Sequence, residues 1–539
     1  MSAPAAAEGR LPSSDSALTY LQARAASMDG DHARSARLLA SLAEAQPAQA
    51  DLARKALTEA IDAGQMDLAI QLSRQSAAAR LTNDARLLLA ADELRHGQDN
   101  AALAWLAPTG ETAGLDFLAP LVRAWAAADR GDMAGALRVL DALPANSLLA
   151  PMRDEQKAFI LLRFRQTALA APIAEQAASS AGARESRLRL AFADGFLAAG
   201  DDAHALAIVQ GMGIGTPPAA QQVRDRKRNG SVIDTAAKAY SETLVAFAAE
   251  VARLQHAAPP LGLVQIARFA DPRNSSATIL LAQVLEADEQ PDPALAALRS
   301  IPDDDAMAAR VRDLQVHILT SEKRYEEAFA LAQPLASRPG ATIDDLDRLG
   351  DVYSAMKRKS DAADVYGRAV ALARSQGLKQ ELWPLLFVQA GALEESSRWP
   401  EARAALQQAL VIAPDQPLLL NFLGYAELVR GENADAAEAM IRKASALAPD
   451  DASITDSLGW AQFKRGKTDE AIATLQSAAE KDPEQAEIQE HLGDALFASG
   501  DHLEARFAWT AALVTADDEV AARVKAKLAS GLVPANAAP

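Results

Sequence analysis

One dipeptide returns three times near the C-terminus, as Leu423-Gly424, Leu458-Gly459 and Leu492-Gly493. Each is followed at nearly the same distance by Ala437, Ala471 or Ala505, and the first two units close on Pro449 and Pro483. A period of about 34 residues with these features holds two helices and a turn, and little else. Gly459 lets the paired helices cross closely, and Ala471 packs at that crossing. Gly466 supplies the permissive backbone between them. Pro483 stops the second helix, because it lacks an N–H and restricts the residue before it. Such arrays grow by stacking units rather than by enlarging one core. The roughly three or four globular domains that 539 residues would otherwise suggest are therefore not needed.

The clearest units run from Ala452 to Gln485 and from Ala486 onward; Pro417 to Asp451 fits with one residue inserted in the Gly431-Glu432-Asn433 turn. Upstream, Ile343 to Ser375 keeps Leu349, Gly350, Ala362 and Tyr366, while Trp383 to Asp415 has lost the Leu-Gly pair. In the N-terminal half only the rhythm survives: Gly30, Gly64, Gly97 and Gly131 are 34, 33 and 34 residues apart, and Gly200 lies about two further units on. About fourteen helical pairs are expected in all. The predicted organisation is a disordered segment 1–15, a degenerate arc 16–210, an irregular joint 211–235, a second arc 236–416, well-matched repeats with a capping helix 417–531, and a tail 532–539. The joint holds Gly213, Gly215, Pro217-Pro218 and the basic run Arg224 to Arg228, which reads as a solvated loop. The cap is expected to leave Arg523, Lys525 and Lys527 exposed.

Half the residues are hydrophobic but only 5% aromatic, and no strand-like alternation is evident, so the chain reads as all-α. A net charge of −18 repels phosphate backbones and anionic lipid heads, so nucleic acid is not an expected partner. With no cysteine there are no disulfides, thiolate metal sites or lipid-modified cysteine. No apolar run reaches the roughly eighteen residues that would span a bilayer, so no direct membrane insertion is expected. No leader is visible after Met1, which puts the chain in the cytoplasm as written, or in the periplasm if the start is mis-called or the form is processed.

The series Asn421-Phe422-Leu423-Gly424-Tyr425, Asp456-Ser457-Leu458-Gly459-Trp460 and Glu490-His491-Leu492-Gly493-Asp494-Ala495, followed by Glu504-Ala505-Arg506-Phe507-Ala508-Trp509, resembles a family of long proteobacterial tetratricopeptide-repeat (TPR) proteins. The resemblance covers about the last 160 residues. It implies a right-handed α-solenoid of stacked TPR hairpins. Many members of that family look like outer-membrane or periplasmic adaptors, and one branch is similar to an adaptor that presents substrates to a carboxyl-terminal processing protease.

In a TPR hairpin the first helix of each unit lines the groove. The register places Asn421, Phe422, Tyr425, Asp456, Ser457, Trp460, Phe463, Glu490, His491, Asp494 and Phe497 there. Aromatic faces beside hydrogen-bonding groups suit a peptide or a partner helix. The acidic side chains favour a neutral or basic segment over an acidic tail. Packing between repeats is the competing role for each aromatic. His491 with Asp494, three residues apart, has the spacing of a helical general base but reads rather as a hydrogen-bonding pair. No HxxxH or HExxH pattern supports a metal, and Gly211 to Gly215 lacks the strand before it that a phosphate loop requires. No cofactor is expected. The expected function is a non-catalytic scaffold or adaptor. The alternatives are a periplasmic adaptor for a processing protease and a self-assembling structural solenoid.

Overall fold

A computed structural model describes residues 14–76, 81–108, 114–212, 216–227, 232–255, 257–305 and 307–538. Among the described residues there are thirty α-helices and no strand. Thirteen helical hairpins are each closed by a residue with positive φ: Gly30, Gly64, Gly97, Gly131, Arg165, Gly200, Glu289, Lys323, Lys357, Ser397, Gly431, Gly466 and Gly500. In each case the next amide turns back onto the helix just ended, as Lys467 N does to Gln462 O at 2.9 Å. That contact satisfies a terminal carbonyl. The period is therefore kept by the backbone even where glycine is gone. Arg, Glu, Lys or Ser at this position costs about 1–2 kcal/mol of left-handed strain, and this is where the upstream code fades.

The chain forms two compact units, Met1–Ala332 and Gln333–Pro539. The division differs from the joint expected at 211–235. In that stretch Thr216–Arg224 is a helix, whose first turn holds Pro217 and Pro218, where a missing N–H costs nothing. Gly213, Gly215 and Arg228 lie outside the described residues. Likewise the segment expected to be disordered ends early, because a helix runs Ser14–Met28; residues 1–13 lie outside the described set.

In the first unit, six hairpins run from Ser14 to Ile208. The helices Ala236–Gln255 and Leu261–Ala270 then leave the repeat pattern and pack back on the first helices of earlier hairpins. Tyr240, fully buried, donates its hydroxyl to Leu87 O at 3.2 Å, and Gln265 Nε2 donates to Asp62 O at 3.0 Å. Glu242, buried in the same helix, accepts from Arg184 and Arg187.

In the second unit, five hairpins run from Ile343 to Ala512, followed by a capping helix, Asp518–Ser530. Gly459 shows why glycine is needed at the crossings: a Cβ there would sit 2.6 Å from Leu475 Cγ and 3.2 Å from Leu475 N. Ala471 beside it is fully buried. Pro483 follows the end of the Thr468–Lys481 helix by two residues.

Candidate functional site

In the second unit the first helices of four successive hairpins, Leu382–Glu395, Pro417–Val429, Ala452–Lys464 and Ala486–Ser499, share a cavity of about 430 Å³ with the capping helix. Its lining follows helical periodicity. Leu418, Asn421, Phe422 and Tyr425 lie on one face, Ser453, Asp456 and Ser457 on the next, and Glu487, Glu490 and His491 on the third. Phe387, Gln485 and Arg523 complete it. One row runs through the stack at a spacing of 35, 35 and 34 residues: Phe387, Phe422, Ser457, His491.

Seven of the eleven side chains expected in the groove line this cavity: Asn421, Phe422, Tyr425, Asp456, Ser457, Glu490 and His491. Four do not. Trp460 is 1% exposed and stacks flat on His491, with ring centroids 4.1 Å apart and 12° between planes, while Phe463 also stacks with Trp460, at 5.1 Å. Phe497 lies against His502 and Trp509. Asp494 is fully buried, accepting from Trp509 Nε1 at 2.9 Å, Lys527 Nζ at 2.7 Å and the Ala538 amide at 3.1 Å. These side chains are committed within the stack: Trp460 to His491 of the next repeat, Phe463 to Trp460, Phe497 to the second helix of its own hairpin, and Asp494 to that helix and the cap.

The capping helix also differs from expectation. Lys527 is fully buried and Arg523 is half-buried; Lys525 alone of the three is exposed. Lys527 Nζ donates to Glu490 at 2.6 Å and Arg523 donates to both Glu490 oxygens at 3.1 and 2.9 Å. The carboxyl of Glu490 is pushed up by burial, but the hydrogen bonds from Arg523 and Lys527 outweigh this and hold it below its ordinary range. Burial raises Asp494 against the pull of Lys527. His491 Nδ1 donates to both Asp456 oxygens, at 3.0 and 2.8 Å. Burial opposes its charge, yet the Asp456 carboxylate raises its pKa, with Asp494 and Glu490 adding to the effect. Arg523 and Lys527 were legible in principle: they stand 33 residues after Glu490 and Asp494, opposite charges one period apart.

Ser457, His491 and Asp456 meet in this cavity, which raises the question of a nucleophile. Ser457 Oγ donates instead to Ser453 O, four residues back in its own helix, at 3.0 Å. Its proton is thus directed away from His491, and the nucleophile–base contact of a hydrolase is not formed. Among the described residues, no cluster of His, Asp or Glu has the makings of a metal site, and no helix is long and apolar enough to cross a membrane.

Two groups in the cavity remain available. Asn421 Oδ1 is buried and has no hydrogen-bond partner among the described residues. Glu487 is exposed at the rim. Phe387 and Phe422 meet edge to face, with centroids 5.7 Å apart at 81°, and both are half-buried.

The tetratricopeptide-repeat family model matches residues 387–452 and 457–521. The hairpins that build the cavity match this repeat. Ten of the thirteen lining residues lie in the matched segments; Ser453, Asp456 and Arg523 fall just outside them. No curated protein matches the sequence. Among solved structures, similarity extends to the APC/C Cut9–Hcn1 hetero-tetramer, at 14% identity over 96% of this chain and 97% of that one (TM-score 0.39). A tetratricopeptide repeat protein from Parabacteroides merdae shares 15% identity over 47% of this chain and 96% of its own (TM-score 0.38). YrrB, described as a TPR protein with an unusual peptide-binding site, shares 19% over 34% and 91% (TM-score 0.26). At these scores the resemblance to individual structures carries no argument about the site.

Proposed function

We propose that this protein is a non-catalytic interaction scaffold whose C-terminal hairpins hold an extended or helical segment of a partner protein in the 430 Å³ cavity. The observation that carries this reading is the combination of half-buried Phe387, Phe422 and Tyr425 with the unpartnered Asn421 Oδ1. Apolar anchors provide affinity, and an unsatisfied buried acceptor sets register once a donor arrives. Repeat stacks use the face formed by corresponding positions of successive units as an extended binding surface.

The test is a random dodecamer peptide library displayed on phage and panned on the full chain, with enriched peptides titrated by fluorescence anisotropy. Phe422→Ala combined with Asn421→Ala is expected to weaken them more than tenfold, while Leu503→Ala, on an exposed position of the last hairpin, leaves affinity unchanged. Equal affinity for wild type and the double variant would refute the groove. Trp460 is unsuited to this test, since its truncation removes a core side chain at about 3–5 kcal/mol.

A further inference from the structure

We infer that the partner side chain seated in this cavity is a lysine or an arginine. The inference rests on the groove reading above and extends it to the chemistry of the occupant. It follows from an inventory of donors and acceptors. The cations of the site are already spent: Arg523 donates through Nε and Nη2 to Glu490 and through Nη1 to Glu519, and His491 Nδ1 is committed to Asp456. A partner carboxylate would find no uncommitted cation in the lining and would meet the Glu487 carboxylate at the rim. Two acceptors remain: Asn421 Oδ1 is unpartnered and buried and Glu487 is exposed at the rim, whereas Asp456 is held by His491 and Glu490 by Arg523 and Lys527. Lysine and arginine are donor-only side chains. Their long aliphatic stems suit the apolar wall of Leu418, Phe387 and Phe422, and a cation is attracted to the faces of such rings. The Tyr425 hydroxyl belongs to the same polar end; burial foremost, and then the charges of Asp456, Glu487 and Glu490, raise its pKa.

The enriched dodecamers supply the probe. Peptides selected on the full chain are expected to share a lysine or arginine at a fixed position beside apolar residues. Replacing that residue by norleucine, which keeps the stem and removes the charge, is expected to lower affinity about tenfold or more. Glu487→Gln should weaken the lysine peptide and leave the norleucine peptide unchanged, with thermal melts confirming that the variant remains folded. If selected peptides depend on Phe422 yet share no cation, or if the norleucine peptide binds as tightly, the basic-side-chain inference falls and the groove stands. If binding is indifferent to Phe422, both fall together.

Discussion

Lys527→Met isolates the polar cluster that closes the stack. In the native chain the ammonium lies between two carboxylates, 2.6 Å from Glu490 and 2.7 Å from Asp494, and all three side chains are essentially without solvent contact. Removing one partner of a buried ion pair costs about 3–5 kcal/mol, because the charge left behind has no water to turn to. Here the lower end applies. Glu490 retains Arg523, and Asp494 retains the Trp509 indole and the Ala538 amide. Asp494 is also already raised by burial and can take up a proton. We therefore expect a loss of about 3 kcal/mol. In a stack whose units contact only their neighbours, that loss should stay local to the cap. Hydrogen exchange of the 518–530 amides reads it directly: about 3 kcal/mol corresponds to roughly a hundredfold loss of protection. Asp494→Asn in the Lys527→Met background removes the stranded charge while keeping an acceptor for Trp509, and should restore about half of it. Lys525→Met, two residues away and exposed, should change nothing measurable. A loss of protection below fivefold for Lys527→Met, or no recovery in the double variant, would show that the cluster does not hold the cap.

Two other predictions concern the hairpins themselves. Gly493→Ala would bring a Cβ to 2.4 Å from Trp509 Cδ1 and should cost about 1–3 kcal/mol in urea unfolding, whereas Gly391→Ala meets only Phe422 Cε1 at 4.0 Å and should stabilise by up to about 1 kcal/mol through helix propensity. The pH dependence has a definite sign. His491 is raised above its ordinary value of 6.5, so its contribution is complete below that value and is lost as pH rises through the folded pKa. Glu490 is lowered from 4.5, so its contribution is present above that value and is lost as pH falls through the folded pKa. Tryptophan fluorescence, with Trp460 stacked on His491, should report a urea midpoint that declines on the alkaline side. Asp456→Asn should flatten that decline, leaving Glu490, Asp494 and Trp460 as the groups facing the imidazole.

Much of this fold was legible because helical-hairpin arrays repeat their constraints. The Leu-Gly pairs located the close crossings, and the turn glycines located the hairpins as far back as Gly30. What failed was any inference that needed two repeats at once. Asp456 and Glu490 do line the cavity and Asp494 does not, but nothing in their own helices announces that each meets a basic group supplied about one period later, by His491, Arg523 and Lys527. The same blindness hid the exposed pairs Arg163–Asp129 and Arg398–Asp364, which also stand 34 residues apart. Those exposed pairs contribute little. The buried ones neutralise Asp456, Glu490 and Asp494 inside the stack. Arg165, Glu289, Lys323, Lys357 and Ser397 illustrate a second limit. Their left-handed backbone is imposed by the hairpin, and no local preference of these residues announces it.

The departure from the period after Gly200 bears on where binding is expected. The helices Ala236–Gln255 and Leu261–Ala270 lie on the first helices of the N-terminal hairpins, the positions that correspond to the cavity face in the second unit. There the chain supplies what a partner would otherwise bring. Tyr240 reaches a backbone carbonyl, Gln265 another, Phe247 packs on Phe117 at 5.3 Å, and Phe269 receives the Arg95 guanidinium at 4.1 Å. Aromatic anchors combined with a few directed hydrogen bonds are the chemistry proposed for the occupant of the C-terminal cavity. Displacing these helices would expose buried side chains and strand Glu242 with its arginines. The first helices Ala50–Asp62, Asn83–Arg95 and Ala119–Asp129 are thus covered by the chain itself, and the proposed recognition falls to the second unit. There Asn421 keeps an acceptor without a donor, where the corresponding first-helix position of the last repeat, Glu490, has its acceptors filled by the cap.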